Sequence, residues 1–361
     1  MSRTVTTRSA CAIIALALAA CVSVHAMNAY FDPSKPHRTQ DGFRNNYPHA
    51  GRASFWAWKW EQWRTGVPRI PEGGWHFPLD RPQLAAPGQH DAQPAVTWIG
   101  HATILLQLDG LNILTDAMFS QRASPLSFAG PERVVPPALT LGELPHIDMV
   151  LISHNHYDHL DKPSVKALAR QTGGPPRFYV PLGLAAWFKD EDIATVTEMD
   201  WWDERDEAGL SAGLKVHFVP AQHWSARSLW DRNQTLWGGF VVEHPRFRFL
   251  FTGDTGYSRD FADIGRRFGS FDLAAIPIGA YEPRWFMATQ HVDPDEAVRI
   301  HQDVHARQSM AMHWGTFVMT DEPLDEPPQK LAQALIASRI SADAFWVLRH
   351  GETRRVPFAM P

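Results

Sequence analysis

The most informative stretch of this chain is Ile152-Ser153-His154-Asn155-His156-Tyr157-Asp158-His159-Leu160-Asp161, which holds three histidines and two aspartates within ten positions. Its first residue ends the apolar run 147–152, which is short and partly β-branched and therefore predicts a buried strand. Asp161 precedes Lys162-Pro163, an order that predicts a helix over Lys162–Arg170 with Asp161 as its cap. The histidines and aspartates are therefore expected on a turn between a strand and a helix, at the edge of a sheet.

A turn of this kind suits metal binding. In extended backbone the side chains of His154 and His156 point the same way, so both can reach one ion. Asp158 and His159 follow as the chain turns, and a second ion could lie a few ångströms away. Imidazole and carboxylate ligands favour zinc, with iron or manganese as alternatives. A loop of solvated polar residues explains isolated histidines better than it explains four donors with this spacing.

Three single polar residues elsewhere in the chain also stand at the ends of predicted strands. His223 follows the strand over 214–220, Asp254 follows the strand over 247–252, and His313 ends the strand over 308–313. Position alone leaves two interpretations open for each, a metal ligand or a satisfied core or loop residue.

The order of several longer motifs resembles one branch of the metallo-β-lactamase superfamily, the N-acylphosphatidylethanolamine-hydrolysing phospholipase D family. The matching pieces cover most of the chain from about Ala95 to Thr320, and the piece over 276–287 is far more specific than the histidine motif. In chain order they are Trp98-Ile99-Gly100-His101-Ala102-Thr103, Leu114-Thr115-Asp116, the stretch 154–161, Ala221-Gln222-His223-Trp224, Thr252-Gly253-Asp254-Thr255-Gly256-Tyr257, Ile276-Pro277-Ile278-Gly279-Ala280-Tyr281-Glu282-Pro283-Arg284-Trp285-Phe286-Met287, Gln290-His291-Val292-Asp293-Pro294 and Met312-His313-Trp314-Gly315-Thr316.

The resemblance implies a fold, a ligand set and a reaction. The fold is α/β, a four-layer αβ/βα sandwich with its metals in a cleft at one edge. Seven side chains are implied to hold two zinc ions: His154, His156 and His223 for one, Asp158, His159 and His313 for the other, and Asp254 as the bridge. His101 and Asp116 lie in matching pieces but are expected to support the ligands rather than to bind metal.

The implied reaction is hydrolysis of an N-acylated phosphatidylethanolamine to phosphatidic acid and an N-acylethanolamine. Asp158 and Asp254 are expected to orient the attacking water and to accept its proton. Tyr157, Gln290 and His291 are candidates to contact the phosphate, because they lie within or beside the motifs. The resemblance also suggests a homodimer.

Three alternatives to this reaction remain open on the sequence. One is a metal-dependent lactonase and another is a sugar-phosphate hydrolase, since the superfamily fold hosts many reactions. The third is a non-catalytic envelope lipoprotein that keeps the fold without turnover, although an intact set of seven ligands argues against it. A formal net charge of −5 over 361 residues provides no basic stripe, so a nucleic-acid partner is not expected.

The N-terminus has the pattern of a targeting segment. Arg3 and Arg8 precede the apolar run 10–20, which is too short to span a bilayer. Leu18-Ala19-Ala20-Cys21 resembles a lipobox, which predicts a lipoprotein signal over 1–20, lipidation of Cys21, and a membrane-anchored protein facing the periplasm or the cell exterior. The alternative is ordinary cleavage after Val24-His25-Ala26, which yields a soluble periplasmic protein. Neither route leaves a disulfide, because of the two cysteines Cys11 would be removed and Cys21 would be lipidated or lost.

Residues 21–94 are predicted to be an extension that packs on a catalytic domain over 95–361. Within it, Trp56, Trp60 and Trp63 would share one face of a helix. Two interpretations are open for these aromatic residues: the face docks at a lipid interface, or the extension packs onto the catalytic domain. Aromatic and apolar residues that could line a groove for acyl chains, or equally belong to the core, are Trp224, Leu229, Trp230, Trp237, Tyr281, Trp285 and Phe286.

Strands and helices are predicted to alternate from Ala95 onward, which favours mixed sheets covered by helices. Asp109-Gly110 is predicted to form a tight turn in a hairpin. The predicted strands are 96–100, 104–108, 111–116, 178–181, 193–198, 214–220, 240–243, 247–252, 272–278, 308–313 and 344–349. The predicted helices are 162–170, 182–188, 258–268, 294–306 and 329–338.

Overall fold

The computed structural model describes residues 27–47, 54–67, 70–85 and 93–358. The signal segment, Cys21 and the cleavage site predicted after Ala26 lie outside the described residues. In the part that is described, no helix has the length and apolar character needed to cross a membrane.

The secondary structure consists of strands and helices that alternate along most of the chain. The strands are β1 (Arg38–Thr39), β2 (Gly42–Phe43), β3 (Ala95–Gly100), β4 (Thr103–Leu108), β5 (Leu111–Thr115), β6 (Met149–Leu151), β7 (Arg177–Pro181), β8 (Val196–Met199), β9 (Glu204–Asp206), β10 (Lys215–Val219), β11 (Gly239–His244), β12 (Phe247–Phe251), β13 (Leu273–Pro277), β14 (Ser309–Met312), β15 (Phe345–Trp346) and β16 (Thr353–Arg355). The helices are α1 (Phe55–Thr65), α2 (Lys162–Leu168), α3 (Ala185–Asp190), α4 (Asp260–Phe268), α5 (Arg284–Met287), α6 (Pro294–Asp303) and α7 (Glu326–Ser338).

These strands form two mixed sheets of seven strands each, with the orders β16-β3-β4-β5-β6-β7-β8 and β15-β14-β13-β12-β11-β10-β9. Each sheet is antiparallel in one part and parallel in the other: β5 to β8 are parallel, and so are β12 to β15. The predicted hairpin is present, because Leu108 pairs with Leu111 across Asp109 and Gly110, both of which have positive φ.

Alternation of apolar residues along the strands explains the layers. In β4, Ile104 and Leu106 belong to a buried cluster that also contains Phe240 and Leu250 of the other sheet. Leu105, which lies between them, belongs to a second cluster with residues of α2 and α3, including Val165 and Phe188. Each sheet therefore faces the other on one side and helices on the opposite side. This confirms the four-layer αβ/βα sandwich.

Several local predictions were wrong, and the reasons are physical. The edge strands β9 and β16 were missed because they are polar, Glu204-Arg205-Asp206 and Thr353-Arg354-Arg355, and lack an apolar period. The short helix α5 was missed as well. The strand predicted over 344–349 is confined to Phe345–Trp346.

Asp161 stands at the start of α2, as predicted, but its carboxylate accepts no hydrogen bond from the helix backbone. It accepts one instead from the hydroxyl of Ser120 at 2.8 Å and another from the hydroxyl of Ser164. The predicted capping bond is therefore wrong. The carboxylate joins α2 to the loop after β5, which helps to fix the histidine-rich turn that precedes the helix.

One of the contacts between the segment that precedes the sheets and the second half of the chain centres on a buried carboxylate. Asp200 accepts hydrogen bonds from Lys35 Nζ at 2.5 Å, His37 Nε2 at 2.7 Å and Arg38 Nη2 at 2.6 Å. Burial alone would raise the pKa of Asp200, but these three donors outweigh it and hold that pKa well below its usual value. The boundary predicted at residue 94 stays a prediction.

Candidate metal centre

The candidate ligands come from loops that follow the strands of both sheets. Five loops contribute, and each begins where the backbone leaves a sheet: residues 152–161 after β6, His223 after β10, Asp254 after β12, Gln290 and His291 beyond β13, and His313 after β14. Because β12 and β14 run parallel within one sheet, the loops after them emerge on one edge, and the contacts of Asp158 and His159 with Asp254 and His313 place the loop after β6 there as well. The seven predicted ligands all lie at this edge and are brought together there.

A first group consists of three histidines. His154 Nε2 lies 2.8 Å from His156 Nδ1, and His223 Nε2 lies 3.3 Å from the same nitrogen. The far nitrogens are oriented by neighbours, since His154 Nδ1 contacts Ser153 Oγ at 2.9 Å and His223 Nδ1 contacts the Gln290 carbonyl oxygen at 2.9 Å. The free edges of the three rings therefore point at a common position.

A second group combines histidines with carboxylates. His159 Nε2 lies 3.1 Å from Asp158 Oδ2, and His313 Nε2 lies 3.4 Å from the same oxygen. Asp254 Oδ2 lies 3.0 Å from both of these imidazole nitrogens. Asp254 also belongs to a compact set with His223 and His291, so it borders both groups. This is the place that the resemblance assigned to a bridging carboxylate.

The electrostatics differ between the two groups. Burial lowers the pKa of His156 and of His223 to about 3, so both rings are neutral, which is the form that binds a metal. Burial acts in the same direction on His313, but Asp254 and Asp158 outweigh it and raise the pKa of His313 to about 9. The carboxylates of the second group therefore favour a positive charge at its imidazole rings.

Several buried polar atoms in the cluster lack a hydrogen-bond partner among the described residues. They are His156 Nε2, Asp254 Oδ1, His291 Nδ1 and His313 Nδ1. Burying polar atoms without partners is costly, and so many in one place are unusual. The imidazole nitrogens and carboxylate oxygens of each group lie within 4.8 Å of one another, and donors of these types are suited to divalent cations.

His101 and Asp116 lie beside the candidate ligands. His101 Nε2 is 2.9 Å from Asp158 Oδ2. Asp116 is completely buried and contacts His159 Nδ1 at 2.6 Å, while it also accepts hydrogen bonds from the Ser153 backbone at 2.7 Å and the Ser153 hydroxyl at 2.5 Å. Asp116 therefore orients His159 directly and His154 through Ser153. Both also fall in groups whose donor atoms lie within 4.8 Å of one another, so their supporting role stays a prediction.

The three residues predicted to contact a phosphate occupy different environments. His291 faces the cluster, with its ring centroid 5.2 Å from that of His223 and its Nδ1 4.0 Å from Asp254 Oδ2. Gln290 borders the cluster through its backbone. The Tyr157 hydroxyl donates to the Arg227 carbonyl at 2.9 Å, and the Arg227 guanidinium lies 3.9 Å from the Tyr157 ring centroid. Phosphate contact by these residues stays a prediction.

Two residues with contacts to the site were missed in the sequence. Arg227 Nη1 donates to the carbonyl oxygens of Asn155 at 2.7 Å and Leu160 at 2.9 Å, so it ties both ends of the histidine-rich turn together. Asn45, far away in sequence, bonds the backbone of His223. Both act on backbone groups, and no motif of residue types signals such a role.

Two facing mixed sheets with histidines and carboxylates gathered at one edge define a metal-dependent hydrolase. Residues 111–314 match the family described as "Beta-lactamase superfamily domain". The chain belongs to the metallo-β-lactamase superfamily, which confirms the resemblance seen in its motifs.

Two relatives with assigned names agree with the suspected branch. One is "N-acyl-phosphatidylethanolamine-hydrolyzing phospholipase D 1" of Caenorhabditis elegans, 44% identical over 258 residues, which cover 70% of this chain and 72% of that protein. The other is "N-acyl-phosphatidylethanolamine-hydrolyzing phospholipase D, mitochondrial" of Saccharomyces cerevisiae, 37% identical over 238 residues. That match covers 65% of this chain and 50% of the yeast protein.

Solved structures share the fold at low sequence identity. Igni18, a metallo hydrolase from the archaeon Ignicoccus hospitalis, has a TM-score of 0.56 at 18% identity, and the match covers 74% of this chain and 100% of that one. An isothiocyanate hydrolase from Delia radicum gut bacteria has a TM-score of 0.56 at 19% identity, covering 72% and 98%.

Proposed function

We propose that this protein is a phospholipase D-type phosphodiesterase with two zinc ions, and that it hydrolyses N-acylphosphatidylethanolamine-like lipids to N-acylethanolamine and phosphatidic acid. The observation that carries the proposal is the position of Asp254 between two donor groups. One of these groups is all imidazole, and the other combines imidazole with carboxylate. The names of the relatives support the lipid substrate.

The protein's own residues divide into two roles in this proposal. His154, His156 and His223 would hold one cation, and Asp158, His159 and His313 the other, with Asp254 shared. Bound divalent cations would supply a water of lowered pKa and positive charge opposite a phosphoryl oxygen. Asp158 and Asp254 orient the attacking water and take its proton, since both carboxylates are ionised and buried at the cluster.

The bond changes follow from the proposed class of reaction. The water oxygen bonds to phosphorus, and the bond between phosphorus and the ethanolamine oxygen breaks. The leaving oxygen takes a proton and departs as N-acylethanolamine. His291 lies beside Asp254 with its side chain 12% exposed and faces the cluster, which suits a contact with the phosphate.

We also propose, on the sequence alone, that the protein is exported and anchored through a lipidated Cys21, with a soluble periplasmic form as the alternative. A lipid anchor would raise the effective concentration of the enzyme at its substrate. A homodimer is a further proposal from the resemblance. Mass spectrometry of the mature N-terminus and size-exclusion chromatography address these two points.

The test uses purified, zinc-loaded protein with a defined N-acylphosphatidylethanolamine in water enriched in oxygen-18. We expect equal amounts of N-acylethanolamine and phosphatidic acid by mass spectrometry, with the heavy oxygen in the phosphatidic acid, because water attacks phosphorus. Simple lactones serve as the comparison substrate. Turnover of lactones without turnover of the lipid would contradict the proposal.

A further inference from the structure

Helix α1 presents three large aromatic side chains to solvent. Trp56, Trp60 and Trp63 are 79%, 62% and 75% exposed, whereas Trp58 on the opposite side is 5% exposed. We name Trp56, Trp60 and Trp63 the tryptophan face. The spacing had predicted a shared face, and the structure shows that this face does not pack on the catalytic domain. Helix α1 does pack on the catalytic domain, as the second interpretation holds, but it does so through Trp58 and not through the tryptophan face.

Helix α1 is firmly held, so the exposure of the tryptophan face is not the result of a loose helix. Trp58 Nε1 donates to Asp321 Oδ2 at 2.9 Å, and the Trp58 ring stacks on Phe286 with centroids 4.9 Å apart. Gln62 Nε2 donates to the other oxygen of Asp321 at 2.5 Å. Ser54 caps the N-terminus by accepting from the Ala57 backbone. These contacts fix which side of α1 faces outward.

Helix α1, which carries the tryptophan face, is joined to the metal centre through α5. Glu61 of α1 accepts a hydrogen bond from Trp285 Nε1 at 2.9 Å, and Phe286 stacks on Trp58. Three residues after α5, the Gln290 carbonyl contacts His223 Nδ1. Trp285 is itself exposed. Helix α1 and the exposed Trp285 ring are therefore linked, through α5, to the segment that borders the candidate metal ligands.

The chemistry of this surface favours a phospholipid bilayer over a second copy of the chain. Indole rings combine an apolar body with a polar N–H, and they concentrate at the boundary between headgroups and acyl chains. Lys59 and Arg64 are the cations of α1, whereas its one carboxylate, Glu61, is bonded to Trp285. Anionic headgroups complement this charge. In a two-fold contact the face would meet itself and bring like charges together.

We propose that the tryptophan face docks on anionic phospholipid bilayers and presents the metal cleft to the membrane. Its purpose rests on the proposed lipid substrate, but the docking can be measured without turnover. Contact with the bilayer would bury apolar indole surface that now faces water, which stabilises the bound state. A lipid drawn from the bilayer would then enter beside Trp285 and α5.

The experiment uses the full chain with Cys21→Ser, so that an acyl anchor cannot mask the face, and compares it with the same chain carrying W56A, W60A and W63A. Cosedimentation with vesicles of phosphatidylcholine and phosphatidylglycerol is expected to weaken at least tenfold in the triple variant. Lipids with brominated acyl chains should quench tryptophan fluorescence in the parent and less so in the variant. Ile336→Ala, an exposed apolar residue of α7, serves as the control and should bind like the parent.

Kinetics separate docking from chemistry. The triple variant should hydrolyse substrate in vesicles more slowly while retaining its rate on a dispersed short-chain substrate. Equal vesicle binding by parent and variant overturns the docking proposal. If, in addition, the parent is a dimer and the triple variant a monomer, the tryptophan face is a contact between two copies of the chain. Vesicle binding that depends on the tryptophans, together with no hydrolysis of N-acylated lipid by the parent, would uphold docking and overturn the proposed function.

A second inference rests on an independent contact, the one between Asn45 and His223. Asn45 Nδ2 donates to the His223 carbonyl at 3.0 Å, and the His223 backbone N–H donates to Asn45 Oδ1 at 3.1 Å. Trp237 Nε1 donates to the same oxygen at 2.9 Å. One side-chain amide thus satisfies both backbone groups of a candidate ligand that lies outside any strand. The ion pairs of Asp200 with Lys35, His37 and Arg38 hold in place the segment that also carries Asn45.

The geometry assigns Asn45 as a positioning residue for the three-histidine group. Supporting contacts of this kind typically affect metal affinity by about 10- to 100-fold. We expect Asn45→Ala to lower zinc affinity by that factor in competition with a chromogenic chelator. The d–d absorption spectrum of the cobalt-substituted protein should change as well, because the orientation of His223 changes.

The control is the adjacent residue. Asn46 Nδ2 donates instead to Asp260 Oδ1 of α4 at 2.9 Å, so Asn46→Ala should keep zinc affinity and the cobalt spectrum. Asn45→Asp keeps the acceptor and loses the donor, and should fall between Asn45→Ala and the parent. If Asn45→Ala does not fold, Asn45→Asp carries the test. Unchanged affinity and spectrum in a folded variant at position 45 would overturn the assignment.

Discussion

Replacing Asp254 with asparagine is expected to reduce turnover by at least about 10³-fold. Asparagine preserves the shape of the side chain but removes the negative charge that lies 3.0 Å from the Nε2 atoms of both His159 and His313. The same change removes a shared carboxylate from both donor groups. Bound zinc per chain should therefore fall below that of the parent. Steady-state rates on a dispersed phosphodiester and elemental analysis after dialysis measure the two effects.

A matched substitution separates this effect from a general loss of charge. Asp295→Asn removes an exposed carboxylate in the first turn of α6 and should leave rate and zinc content unchanged. Circular dichroism should show that both variants retain the fold. An Asp254→Asn protein that hydrolyses the substrate at the parental rate would refute the role proposed for this carboxylate.

The part of the site that could be predicted from the sequence is the part encoded by local spacing. His154, His156, Asp158 and His159 lie together because they occupy one turn after β6. His223, Asp254 and His313 were each ambiguous by position, since a single polar residue after a strand has many explanations. The order of the longer motifs is what implied that these three residues are metal ligands. The structure brings them to the same edge of the sheets as the histidine-rich turn.

What could not be predicted depends on contacts between backbone and side chain over long distances in sequence. Asn45 and Arg227 bond backbone groups of His223, Asn155 and Leu160, and residue type alone does not encode those pairings. Periodicity correctly placed three tryptophans on one face of α1. It could not show which side of the helix would be buried, because Trp58 and its partner Asp321 are 263 positions apart.

Removal of divalent cations is expected to abolish turnover and to lower the thermal midpoint of unfolding. Binding of a cation to the folded chain alone stabilises it, so chelation withdraws that contribution. Without a cation, several buried polar atoms of the cluster, such as His156 Nε2 and Asp254 Oδ1, lack partners among the described residues. Activity and thermal unfolding after chelation and dialysis measure the loss. Separate additions of zinc, manganese and iron then identify which metal restores both.

The pH dependence of zinc binding should differ between the two donor groups. The pKa of His313 is raised to about 9 by Asp254 and Asp158 against the effect of burial, so below that pH a cation must displace a proton, and affinity falls up to tenfold per pH unit. His156 and His223, whose pKa values are lowered to about 3 by burial, carry no proton between pH 5 and pH 8 that a cation must displace. Stepwise zinc titrations of the metal-free protein at several pH values should therefore show one step that weakens on acidification and another that hardly moves. Two steps that shift in parallel would contradict the assignment of separate neutral and carboxylate-bearing groups.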